Sequence, residues 1–141
     1  MANELIIVPM FAMFLVTVVV LTLLFRSRVA SVAKGEIEPG YYKVYQGGRE
    51  AERPAKLGRH FINIFEAPVL FYVVCLAALA TENASPLFQS LAWAYVAVRV
   101  VHAYIHIGAN KIMPRIRVYM VSWVVLLGMW GLLTYQVLAN L

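Results

Sequence analysis

Arg59-His60-Phe61-Ile62-Asn63-Ile64-Phe65-Glu66-Ala67-Pro68 is the stretch on which the reading of this chain turns. Polar side chains stand there inside a segment otherwise apolar enough to lie in lipid. Arg59, Asn63 and Glu66 are spaced four and three apart, which puts them on one face of a helix. A carboxylate two turns into an apolar span is costly and marks a site by default. Pro68 lacks the amide that would bond the carbonyl of Ile64, so a local kink is expected beside Glu66.

The rest of the chain agrees with a membrane setting. Of its 141 residues, 62% are hydrophobic, against about 45–50% in soluble domains. Roughly 20 apolar residues cross the hydrocarbon of a bilayer, and four stretches qualify: Leu5–Phe25, Phe61–Ala80, Leu87–Ile107 and Val118–Leu138. The expected fold class is therefore an all-α integral membrane protein, a four-transmembrane-helix bundle forming one domain over residues 1–141. The first and last spans carry no charge. The second holds Glu66, and the third holds Arg99, His102 and His106, so the middle helices carry the chemistry. The first span has no basic segment ahead of it and outruns a signal core, so it reads as a retained helix. Cys75 is the lone cysteine. It excludes an intramolecular disulfide and a multi-cysteine metal site, and reads as a packing residue.

A net charge of +5 raises nucleic acid as a partner, but the placement of the charges speaks for topology and against it. Basic residues from Arg26 to Arg59 fill the connection between spans one and two, a loop over about residues 27–58. Lys111, Arg115 and Arg117 fill the connection between spans three and four. The link Thr81–Pro86 and both ends have none, so the positive-inside rule puts the basic loops in the cytoplasm and both termini outside. Helix one should run a turn or two past the membrane before Gly35 and Pro39-Gly40 stop it, with Tyr41, Tyr42 and Tyr45 near the interface.

Glu66 lies eight residues beyond Gly58, and Arg99 eight residues before Ile107, each about 12 Å deep. Spans two and three are joined by a short hairpin, so the two charges should meet as a buried ion pair. Arg99, His102 and His106 share one helix face, extended by Tyr95. With Arg59, Asn63 and Glu66 they predict a polar wall, and Arg115, Arg117 and Tyr119 stand at its mouth, with Arg26 and Arg28 on the same side. A cationic pocket of this kind suits a small carboxylate-rich ligand, and apolar helix faces beside it suit a lipophilic one. Plainer readings stay open. The terminal arginines and Lys111 serve equally as head-group anchors, and Glu66–Arg99 serves as glue between helices. His102 and His106 have metal-ligand spacing, but there is no second carboxylate nearby, so no metal is expected.

These residues resemble the MAPEG family, the membrane-associated proteins of eicosanoid and glutathione metabolism, over essentially the whole chain. The resemblance rests on Arg59-x-x-x-Asn63-x-x-Glu66, Arg99-x-x-His102, and Arg115 with Tyr119, taken together with the four spans. It is to bacterial-type members similar to microsomal glutathione transferases, and implies a bacterial inner membrane as the location. It further implies a homotrimer of left-handed four-helix bundles, with glutathione as co-substrate between neighbouring protomers. Arg59, Asn63, Glu66, Arg99 and His102 would hold it, with His106 and Tyr119 beside them and Arg28 reaching in from the adjacent protomer. Arg115 would stabilise the glutathione thiolate, with Arg117 as its rival. A cation beside the sulfur lowers a thiol pKa from about 8.5 and supplies a nucleophile. Two departures stand out. His106 replaces a tyrosine common in family enzymes, and Pro114 directly precedes Arg115.

The expected function is a glutathione-dependent membrane transferase or peroxidase acting on lipophilic electrophiles. Its expected partners are membrane lipids, a lipophilic small-molecule substrate and two further copies of the chain. The alternative is a non-catalytic lipid- or glutathione-binding scaffold. A third reading, outside the family, is a small transporter subunit gated by Glu66 and Arg99. Against it, the outer halves of all four spans are nearly free of polar groups.

Overall fold

The computed structural model describes residues 3–140, and every regular element in them is helical. A short 3-10 turn, Asn3–Ile6, leads into α1, Ile7–Ala33. A single turn, α2, Tyr41–Val44, interrupts the long connection. Then come α3, Glu52–Ile64, α4, Ala67–Ala80, α5, Pro86–Ile107, and α6, Ile112–Ala139. Four stretches are long and apolar enough to cross a membrane: Asn3–Ala33, Glu52–Ala80, Pro86–Ile107 and Ile112–Ala139. The chain is therefore a multi-pass membrane protein with α3 and α4 sharing one span. Met1, Ala2 and Leu141, at the termini that the charge pattern sends outside, lie beyond the described residues.

The spans match those expected, but three of the helices overrun them at the charged end. α1 continues eight residues past Phe25, α3 starts nine before Phe61, and α6 starts six before Val118. Hydropathy marks the hydrocarbon, whereas Arg, Lys, Glu and Ala beyond it are good helix formers. α1 ends where predicted. The amide of Gly35 bonds the carbonyl of Val32, and that of Glu36 the carbonyl of Ser31. Gly35 has φ of 69°, a conformation that only glycine takes without cost. At the far end Ser85 caps α5, its hydroxyl accepting from the amide of Phe88, and Pro86 opens the helix.

The expected kink is a full break. Phe65 and Glu66 leave helical geometry, Glu66 with φ −97° and ψ −100°, and α4 restarts with Pro68 in its first turn. The Glu66 amide reaches the carbonyl of Asn63 three residues back, at 3.3 Å, instead of the one four back.

α5 packs along α6, while α1 lies against α3 and α5, and α4 against α6. The core occupies the half of the bundle away from the basic loops. Phe71, Val74, Cys75, Ala78, Phe88, Ala92 and Met129 are fully buried there. Phe71 and Tyr95 stack with ring centroids 4.6 Å apart. Tyr95 is thus a packing residue and not the deep end of a polar wall. Gln136 of α6 donates to the Ser85 hydroxyl at 2.9 Å, and Asn140 to Asn83 at 3.1 Å, tying α6 to the α4–α5 link. The outward faces stay apolar, with Phe11, Phe14, Val124 and Leu127 among the exposed side chains, as a lipid-facing surface requires.

Burial separates two phenylalanines of equal size, Phe71 at 0% exposure and Phe14 at 52%. Phe71→Ala is expected to lower the unfolding free energy by about 3 kcal/mol or more, and Phe14→Ala by under about 0.5 kcal/mol. Unfolding titration in mixed micelles reads both, and equal losses would contradict this assignment of the core.

Candidate functional site

Among the described residues Arg99, on α5, is the most buried charge, only 1% exposed. A buried guanidinium needs acceptors, and Asn63 of α3 supplies two. Nη2 of Arg99 donates to Asn63 Oδ1 at 2.8 Å and to the Asn63 carbonyl at 3.3 Å. The amide nitrogen of the Asn63 side chain in turn donates to Glu66 Oε2 at 3.0 Å. The expected direct Glu66–Arg99 ion pair is therefore replaced by a relay through Asn63. The cause is the break after Ile64, which turns Glu66 outward, where it is exposed on the chain's own surface. The two charges do lie at one level, as the depth argument required. The Nε and Nη1 of Arg99 have no hydrogen-bond partner within the chain, so the cation is only half satisfied. Its guanidinium also lies 6.0 Å from the ring centroid of Tyr119.

One turn towards the charged end, three imidazoles pack together. His102 and His106 come from α5 as expected, and His60 of α3 wedges against both, with ring centroids at 5.5 and 4.9 Å. His60 is 1% exposed, and neither of its nitrogens has a partner. The sequence reading missed this role. The available signal was a second polar residue beside Arg59 in a run about to enter the apolar span. Among the described residues no group of three or more His, Cys, Asp or Glu is placed to hold a metal ion. Arg99 and Arg115 both line or back this cluster, and a metal cation would add to their repulsion.

Asn63, His102, His106, Arg115, Ile116 and Tyr119 line one pocket of about 280 Å³. The Tyr119 ring stands 5.6 Å from that of His102. Arg115, in the first turn of α6, donates through Nη1 to Asn110 Oδ1 at 2.8 Å. Arg117, two positions on, is exposed and does not contribute to this lining. Tyr104 is 81% exposed and points away.

The remaining candidates lie elsewhere. Arg59 and Arg28 line a larger groove of about 850 Å³ between α1 and α3, with Leu21, Leu24, Phe61 and Ile62 as its apolar part. Arg28 is engaged within its own chain. Its Nε donates to Glu50 Oε1 at 3.0 Å, and its guanidinium lies over the rings of Tyr42 and Tyr45 at 5.0 and 5.6 Å. So the single polar wall expected from helical spacing is divided between two pockets, Asn63 lining one and Arg59 the other.

Substitutions at three positions test this geometry. Asn63→Leu strips Arg99 of its acceptors and should cost about 3 kcal/mol, yet combined with Arg99→Leu the loss should fall well short of the sum of the two. Additive losses in unfolding titrations would refute the relay. His60→Leu breaks no hydrogen bond and removes two unpartnered nitrogens, so the expected change in the same measurement is under about 1 kcal/mol.

The chain matches the family described as MAPEG family over residues 6–135. No curated protein and no solved structure matches it.

Proposed function

The chain belongs to the MAPEG family, and on that footing we propose that it is a glutathione-dependent membrane transferase acting on lipophilic electrophiles, or reducing lipid hydroperoxides. The carrying observation is that Asn63, His102, His106, Arg115 and Tyr119 line one pocket, backed by the half-satisfied Arg99. Glutathione offers two carboxylates to such a site. In this reading Arg99 and the two pocket histidines hold its polar groups, Asn63 and Glu66 order them, and Arg115 stands beside the sulfur as the catalytic residue. A guanidinium at that point stabilises the thiolate and leaves it poised to attack an electrophilic carbon or a peroxide oxygen.

The size of the pocket supports assembly. About 280 Å³ lies at the lower limit of small-molecule sites, so a tripeptide seated there projects beyond the chain's own walls. Glu66 is exposed at membrane depth, where a charge needs polar cover. Both features fit a homotrimer of single-domain protomers. Arg28 and Arg59, separated from the pocket within one chain, would then approach a ligand bound by a neighbour. The charge pattern supports basic loops in the cytoplasm and termini outside, with a bacterial inner membrane as the proposed location.

One departure favours the second reading, a binding scaffold without catalysis: His106 stands where family enzymes often carry tyrosine. For the transporter reading there is no such support, since the half of the bundle beyond Tyr95 is packed with fully buried apolar side chains.

Glutathione binding, thiolate absorbance and turnover of an aryl halide separate these readings. Arg115→Ala is expected to keep glutathione binding while losing the thiolate band and roughly a hundredfold in rate. Loss in Arg117→Ala instead would move the catalytic role to that residue. Binding in the unaltered protein with neither thiolate nor turnover would leave only the scaffold.

A further inference from the structure

A second groove, of about 640 Å³, opens on the other side of the α1–α3 contact and shares none of the residues proposed to hold glutathione. Its floor is made of small residues on α1, Ser27, Ala30 and Ser31, the last only 4% exposed. Cations rise around that floor from both helices: Arg26 from α1, Lys34 just past its end, and Arg53 from the first turn of α3. Two carboxylates also border it, Glu36 and Glu52, but Glu52 is bonded to Lys56 one turn along α3. The groove therefore keeps an excess of positive charge over a floor with two hydroxyls. That combination suits a phosphate oxyanion, which accepts from guanidinium, ammonium and hydroxyl donors together.

The position of the groove selects the kind of phosphate. Arg26 directly follows the last residue of the uncharged apolar run, so the groove sits where lipid phosphates lie. Leu23 closes its membrane end, and Val19, one turn deeper on the same face of α1, is 56% exposed. A head group in the groove thus has an apolar track leading from it into the bilayer, which a free phosphate would not use. We propose that this groove is a specific binding site for an anionic phospholipid, with its phosphate held by Arg26, Lys34 and Arg53 and an acyl chain along Leu23 and Val19.

Native mass spectrometry of the full chain, released from nanodiscs of equal phosphatidylglycerol and phosphatidylcholine, tests the proposal. The unaltered protein should retain phosphatidylglycerol in preference to phosphatidylcholine. Arg26→Gln with Arg53→Gln should reduce that preference roughly tenfold or more. Lys43→Gln with Lys111→Gln, an equal loss of charge at exposed positions outside the groove, should preserve it. Lys34→Glu, at a single exposed position, is the second groove variant and should also lose the preference, covering the case in which the double variant does not fold. Undiminished preference in the groove variants overturns the site. So does an equal loss in the Lys43/Lys111 control, which would reduce the effect to general attraction. Displacement of the lipid by millimolar inorganic phosphate would overturn the lipid assignment in favour of a free-phosphate site.

Discussion

A buried guanidinium on α5 sets the terms for this bundle. Arg99 lies at membrane depth and is almost completely enclosed, where an unpaired charge costs several kcal/mol. Its best acceptor is a backbone carbonyl and a side-chain oxygen of the same residue, Asn63. In an unbroken helix the carbonyl of Asn63 would be committed to the amide four residues ahead. Here the chain leaves the helix at Phe65, that carbonyl takes a longer bond from Glu66, and it also accepts from Arg99. The break that Pro68 favours and the burial of Arg99 are thus two sides of one arrangement.

The same break settles where the negative charge goes. With Glu66 out of helical register, Asn63 becomes the bridge between it and Arg99, and Glu66 turns to the outside of the chain. Two nitrogens of Arg99 remain without partners, while Glu66, the only side-chain carboxylate at its level among the described residues, is turned to the surface. Taken by itself, the chain is electrostatically unfinished at this depth. That is the condition under which a carboxylate-bearing ligand binds with a gain rather than a cost, because its acceptors complete bonds that the chain leaves open.

Much of this was legible in the sequence because it rests on one-dimensional quantities. The four spans follow from counts of apolar residues, the stop at Gly35 from its need for positive φ, and the common level of Glu66 and Arg99 from rise per residue. What failed was extrapolation of a helical wheel through an irregularity. Placing Arg59, Asn63 and Glu66 on one face assumes an intact helix as far as Glu66, and the helix ends at Ile64. The wheel also does not say what packs beside it. Asn63 meets α5, whereas Arg59 faces the groove that α1 makes with α3. His60 escaped notice for a related reason. Its importance comes from two rings on another helix, and no spacing within its own helix announces them.

The two α6 arginines show how far such geometry can discriminate. Two residues along an α-helix is a turn of about 200°, so Arg115 and Arg117 cannot serve the same pocket from the same helix. Arg115 shares its lining with His102, His106 and Tyr119, while Arg117 is exposed. Yet Arg115 is not free, since Asn110 at the α5–α6 turn accepts from one of its terminal nitrogens at 2.8 Å. A guanidinium has five donors in a planar fork, and one bond to a neutral amide leaves the charge and most of that fork available. The Asn110 contact therefore orients Arg115 more than it occupies it, and a side chain held towards the pocket loses less entropy on meeting an anion than a free one. Such preorganisation favours the proposed thiol chemistry over a passive scaffold and ties it to the turn between α5 and α6.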